Sequence, residues 1–256
     1  MLSNSVHLRQ IRRGVQRRLL VGNTHVLYNP SRGDVKLGQI RSLLLRAHIL
    51  SEKWGYTPLV LAGDFNMTPQ SAIYKFMCSS ELNVLLYDRR ELSGQRNCHP
   101  AQVFGLKEEM RSSFSFIDGS FTNSWTDEEV EVATGNSAHP LAMHPLKLKS
   151  SYATIKSSAR RRDLNCEPFA TSYHSKFIGT VDYLWYSDGV VPTRVLDTLP
   201  FDSLRKTGGL PCKVIATVVT LFWLMSPFSW KLPGSFPRIR KKNIAESLLL
   251  STSSLK

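Results

Sequence analysis

The chain has 256 residues, with 33 Lys plus Arg against 20 Asp plus Glu, and so a formal charge of +13. With 42% hydrophobic and 21% charged residues it can bury a core, which excludes a wholly disordered linker. The positive balance favours a polyanion such as RNA, DNA or an acidic membrane face as partner, but it identifies neither a fold nor an enzyme.

Residues 1–16 form a basic N-terminal segment. The first 20 residues carry five arginines and no acid, a composition shared with organellar transit segments, but they lack the apolar run of a secretory signal. Residues from Arg17 onward lead into a strand. Between Arg18 and Tyr28 the period of two places Val21, Asn23, His25 and Leu27 on one face, so two polar groups share a side with apolar neighbours. After the NPSRGD turn, Leu37, Ile40, Leu44, Ala47 and Trp54 have the spacing of an amphipathic helix. A buried strand is predicted over Leu59 to Ala62. Thr68 and Pro69 then supply an N-cap and first-turn proline for a helix with Ile73, Phe76 and Met77 on one stripe. Strand, helix, strand, helix is an α/β pattern.

Residues 88–170 are weakly patterned and read as a long, largely flexible insertion, with the acidic stretch 126–131 and the basic stretch 160–162 inside it. Order returns at Tyr173. Val181, Tyr183 and Trp185 alternate with Asp182, Leu184 and Tyr186 along a further strand. Beyond Lys213 the composition changes abruptly, so residues 213–256 read as a divergent tail whose character suggests a retained intron or a shifted reading frame. The apolar run Val214 to Met225 is shorter than the roughly 20 residues a bilayer crossing needs, and no membrane partner is expected. The basic run 238–242 suits a nuclear address, a nucleic-acid contact or a solvated tail. Cys78, Cys98, Cys166 and Cys212 lack the spacing of a zinc site or disulfide framework, in keeping with a reducing compartment.

Three short motifs could carry chemistry. GDFN at 63–66 follows an apolar strand, so Asp64 and Asn66 can offer a carboxylate and an amide oxygen to a hard cation such as Mg²⁺, which takes few protein ligands. The same tetrapeptide also suits a simple turn, because Asp and Asn bond their own backbone. His25, beside Asn23, could donate to a phosphoryl oxygen or be a satisfied core histidine. Asp182 lies in an apolar, aromatic strand and needs a partner, either a functional group or an ordinary ion pair. Arg32, Lys36 and Arg41 next to the NTHV segment could track a phosphate backbone or form a solvated helix face.

Segments 23–39, 59–77 and 171–189 resemble the endonuclease/exonuclease/phosphatase superfamily, specifically its carbon catabolite repressor 4 type poly(A) deadenylases; 144–152 and 194–200 are similar to the plant branch. The resemblance implies an α/β fold, an incomplete two-sheet α/β sandwich over residues 17–212, and an Mg²⁺-dependent 3′-5′ exoribonuclease releasing AMP from poly(A) tails. It implies RNA and deadenylation-complex proteins as partners, in the nucleus and cytoplasm. Under it Asp64 organises the attacking water, Asn66 holds that water or the phosphate, and both serve the metal. His25 contacts the scissile phosphate and Asp182 orients a catalytic histidine. Asn23, His25, Tyr173 and Phe177 are the candidate substrate contacts, the two aromatics for stacking on bases.

The chain departs from that pattern at two places. The family's metal-binding Glu precedes NTHV, and the 22 residues ahead of Asn23 contain no acid. The closing Ser-Asp-His segment has no match, since no histidine follows His174. Loss of such groups commonly costs factors of about 10² to 10⁴. Two alternatives therefore stand beside the deadenylase: a catalytically inactive RNA-binding or scaffold fragment, and a phosphodiesterase or phosphatase for another phosphate ester.

Overall fold

The computed structural model of the chain describes residues 5–11, 17–105, 125–155, 162–196, 198–212 and 229–231. The tail beyond Cys212 lies outside them except for 229–231, as do the apolar run 214–225 and the basic run 238–242.

The centre is a five-stranded sheet. Strand β1 (Ser5–Ile11) pairs antiparallel with β2 (Arg17–His25), so part of the basic N-terminal segment is a strand. Helix α1 (Gly33–Lys53) then crosses over to β3 (Leu59–Asp64), which lies parallel to β2. In α1, Leu37, Ile40, Leu44 and Ala47 are buried as their spacing predicts; Trp54 lies past the helix end and is partly exposed. Helix α2 (Ala72–Ser79) starts later than the Thr68-Pro69 reading, because the Ser71 side chain accepts the Tyr74 N–H and caps it. Its Ile73, Phe76 and Met77 enter the core as predicted.

A short strand β4 (Glu81–Asn83), a 3₁₀ turn at 95–97 and the one-turn helix α3 (Pro100–Val103) follow. Next come α4 (Asp127–Thr134), β5 (Leu141–Met143), β6 (Leu148–Ser150) and α5 (Ser151–Thr154). The hairpin β7 (Ser172–His174) and β8 (Phe177–Gly179) leads to β9 (Asp182–Ser187), then β10 (Val191–Arg194), α6 (Phe201–Thr207) and β11 (Ser229–Lys231). The large sheet has the order β1-β2-β3-β9-β6, and the other strands form three two-stranded pairs: β4-β5, β7-β8 and β10-β11. This is a mixed α/β architecture in keeping with the partial sandwich.

The expected flexible insertion at 88–170 is corrected for its described residues. Thr126 and Glu129 close a reciprocal capping box on α4, satisfying donors at its N-terminus. Helix α4 packs on α1 so closely that a Cβ on Gly38 would lie 2.2 Å from the Val132 carbonyl oxygen. Asp34, wholly buried, pairs with Arg32 at 2.9 Å and Arg89 at 3.7 Å, and Arg89 reaches Glu129 at 2.9 Å. Strand β6, only three residues long, joins the large sheet beside β9. Weak patterning misled here because short strands and charge-paired loops leave no periodic trace.

The two faces of the sheet differ. Leu20, Leu59, Leu61, Tyr183, Trp185 and Leu148 point into the main core with α1 and α2. On the opposite face Val60, Ala62, Leu184 and Tyr186 form a smaller apolar cluster, and the polar residues of interest continue its rows toward one end.

Candidate functional site

Parallel pairing of β2 with β3 sets His25 against Asp64, and antiparallel pairing of β3 with β9 sets Asp64 against Asp182. Three residues from distant stretches thus occupy adjacent positions in one row at the sheet's end. His25 Nε2 lies 3.6 Å from Asp64 Oδ2; the His25 side chain is 66% exposed and that of Asp64 25%. Asn23 stands two residues back on the same face as His25, opposite Ala62.

The GDFN segment needs its glycine. Gly63 has φ +145°, and a Cβ there would fall 1.9 Å from the Thr24 carbonyl oxygen. After Asp64 the chain turns: Phe65 donates its N–H to Val181 O at 2.8 Å, and Asn66 takes a left-handed φ of +48°. That turn lets the Asn66 N–H donate to Asp64 Oδ1 at 2.8 Å.

Burial raises the Asp64 carboxyl above its ordinary range, while the Asn66 N–H, His25 and Lys36 pull it back. Asp182 is 4% exposed, and burial and the facing Asp64 carboxylate likewise push it up. Its Oδ2 has no hydrogen-bond partner, and it forms no ion pair among the described residues, so the ordinary ion-pair reading does not hold. Two carboxylates facing each other, one with an orphaned buried oxygen, are a donor set that fits a hard cation. Mg²⁺ is commonly held by one or two carboxylates with water and phosphate completing its shell. Among the described residues no group of three or more His, Cys, Asp or Glu is assembled for a metal.

Several predicted site residues stand differently from their sequence reading. Asn66 is 3% exposed; its Nδ2 donates to Val26 O at 2.9 Å and its Oδ1 accepts from Gln95 Nε2 at 3.0 Å. Both ends of its amide thus have partners in the fold, and Asn66 reaches Asp64 through its backbone N–H. Tyr173 and Phe177, each 7% exposed, belong to covered apolar packing: Tyr173 meets Phe104 edge-on, and the Phe177 ring lies near His174. Rings so covered offer no open face for base stacking. Arg32 is tied up by Asp34.

Lys36 is fully buried rather than on a solvated face, and burial brings its ammonium down to about 7. Lys36 shares the three-and-four spacing of Ile40, Leu43 and Ala47 on the buried stripe of α1, a signal that its charge masks in the sequence. Gln95, which Lys36 touches, was missed because it sits in a 3₁₀ turn without periodic signal.

The endonuclease/exonuclease/phosphatase family profile matches residues 12–204. Carbon catabolite repressor protein 4 homolog 3 of Arabidopsis thaliana is 59% identical over 201 residues, 78% of this chain and 44% of that relative. Homolog 5 of the same plant is 49% identical over 202 residues, 79% of this chain and 44% of its own length. The chain thus spans less than half of these relatives. A crystal structure of ANGEL2, described as a 2′,3′-cyclic phosphatase, superposes with a TM-score of 0.55 and 24% identity, covering 84% of this chain and 64% of that one. This last likeness is one of fold. No described helix is long and apolar enough to cross a membrane.

Proposed function

Because the chain belongs to the endonuclease/exonuclease/phosphatase family, we propose that its sheet end is the phosphodiester-cleaving centre of an RNA 3′-exonuclease of the deadenylase type. The observation that carries this reading is the row of His25, Asp64 and Asp182 on three adjacent strands. The similarity to the two Arabidopsis carbon catabolite repressor 4 homologs supports the branch of the family, and RNA with 3′ adenosines is the substrate that the deadenylase resemblance implies.

In this reaction water adds to the phosphorus of the last linkage and the bond to the 3′ oxygen breaks. The products are AMP and a shortened RNA with a free 3′ hydroxyl. Asp64 Oδ2, the oxygen not held by Asn66, lies beside His25 and is the one that accepts a proton from water or holds a cation. Exposed His25 lies beside it, where an imidazole N–H donates to a phosphate oxygen. Asp64 and Asp182 are the residues that would hold Mg²⁺, which when bound neutralises phosphate charge and acidifies water. Phosphoryl transfer rests mainly on such positioning and charge neutralisation.

The test is incubation with an RNA ending in oligo(A), with Mg²⁺ or EDTA, beside Asp64→Ala and His25→Ala. Metal-dependent AMP release that falls by roughly 10²-fold or more in either variant supports the reading. RNA binding without release assigns the chain to the inactive-fragment alternative. A parallel RNA ending in a 2′,3′-cyclic phosphate reads out the phosphatase alternative; its opening in place of AMP release would displace the exonuclease.

A further inference from the structure

Every polar group of Asn66 is taken. Its N–H is given to Asp64 Oδ1 at 2.8 Å, its Nδ2 to Val26 O at 2.9 Å, and its Oδ1 accepts from Gln95 Nε2 at 3.0 Å. Its carbonyl oxygen accepts from Lys36 Nζ at 2.9 Å. Lys36 Nζ also donates to Gln95 Oε1, and Ser93 Oγ donates to the same oxygen at 3.3 Å. Lys36 and Ser93 are 0% exposed and Gln95 6%. No carboxylate forms an ion pair with Lys36 among the described residues. Its Nζ therefore donates to two neutral oxygens and acts on the Asp64 carboxyl only at a distance, in a place where an apolar side chain would cost the fold less desolvation.

We propose that Lys36 and Gln95 are positioning residues for the Asp64 carboxylate, acting through Asn66. Lys36 holds the Asn66 carbonyl and Gln95 holds its amide, so that the residue stays in a left-handed conformation most side chains avoid. Held there, Asn66 aims its N–H at one carboxylate oxygen and leaves the other beside His25. A lysine suits this task because one ammonium, with three donors, reaches both the loop backbone and the glutamine. The proposal rests on the reading of Asp64 as the cation-holding and water-organising group.

The test uses the full chain with Lys36→Met, Gln95→Leu, and Ile40→Ala as a control on the same buried stripe of α1. Three properties are measured: thermal unfolding, the Asn66 amide resonance in ¹⁵N-labelled protein, and Mn²⁺ affinity by calorimetry. Lys36→Met and Gln95→Leu are expected to move the Asn66 amide and weaken Mn²⁺ binding roughly 10- to 100-fold. Ile40→Ala is expected to lower thermal stability while leaving both unchanged. In the RNA assay the positioning variants lower kcat with KM retained. If Lys36→Met does not fold, Gln95→Leu, which introduces no change of charge, decides. An unmoved Asn66 amide in the folded variants, or equal Mn²⁺ loss in Ile40→Ala, overturns the proposal. If the unsubstituted chain takes up no Mn²⁺, the cation reading of Asp64 fails, and the Asn66 amide alone decides the positioning claim.

Discussion

Asp64 and Asp182 stand directly opposite each other across the antiparallel pair β3-β9, and one oxygen of Asp182 is buried without a partner. Two carboxylates so placed repel each other and lose water together, so the metal-free protein carries an energetic cost at this point. The expected outcome of Asp182→Asn is a gain of about 1 to 3 kcal/mol in stability at neutral pH without metal, since a buried charge is removed. The same change should abolish any stabilisation by Mg²⁺. Urea titrations with and without the cation check this; a destabilised, still Mg²⁺-responsive variant would contradict it.

Glu167 gives a pH signature away from the site. It is fully buried, its Oε1 accepts the Tyr74 hydroxyl at 2.8 Å, and burial pushes its carboxyl from 4.5 to about 7. Folding therefore binds a proton between those values, so this group's contribution is most favourable below about 4.5 and is lost as pH rises through about 7. Its size is on the order of 3 kcal/mol at full ionisation. Glu167→Gln keeps an acceptor for Tyr74 and cannot ionise. The stability difference between variant and parent, followed from pH 5 to pH 8, should grow in the variant's favour; parallel profiles would refute the assignment.

Gly63 is the GDFN position least open to change. A Cβ would meet the Thr24 backbone at 1.9 Å, on a strand pair that cannot separate without breaking the β2-β3 ladder. Gly63→Ala is expected to cost about 2 to 5 kcal/mol, combining backbone strain with overpacking. A shift of the denaturation midpoint smaller than that of Ile40→Val would show that the strands have more play than their geometry indicates.

Asp34 joins the start of α1 to the loop at 88–91. Its carboxylate is buried between Arg32 and Arg89. Asp34→Ala should destabilise by roughly 1 to 3 kcal/mol, because it deletes the charge-assisted hydrogen bonds of a buried carboxylate while Arg89 keeps Glu129. Double substitution with Arg89→Ala should cost less than the two single losses added together, which a double-mutant cycle reads directly.

Much of this was legible in the residues. The period-two runs located β2 and β9, the three-and-four spacing located α1, and the motifs with His25, Asp64 and Asp182 named the residues that the sheet sets in one row. Periodicity works there because long elements repeat one face against one core. It does not reach β6, whose three residues are too few to repeat, or the capping box and ion pairs that order 125–134. Nor did spacing tell that Asn66 spends its amide on Val26 and Gln95, or that Tyr173 and Phe177 lie covered, since composition is blind to what packs against a side chain.

By itself the chain's order of residues determined the family, the types of the longer elements β2, α1, β3 and β9 and the identity of the row residues, because these depend on local pattern and motif. Only the tertiary structure decided which atoms of that row remain open. Asp64 Oδ1 is held while Oδ2 faces His25, Asp182 Oδ2 is orphaned, and Lys36 lies buried beneath the turn. Hydrogen-bond partners and burial arise between segments far apart in the chain, so they come into being only when the sheet closes.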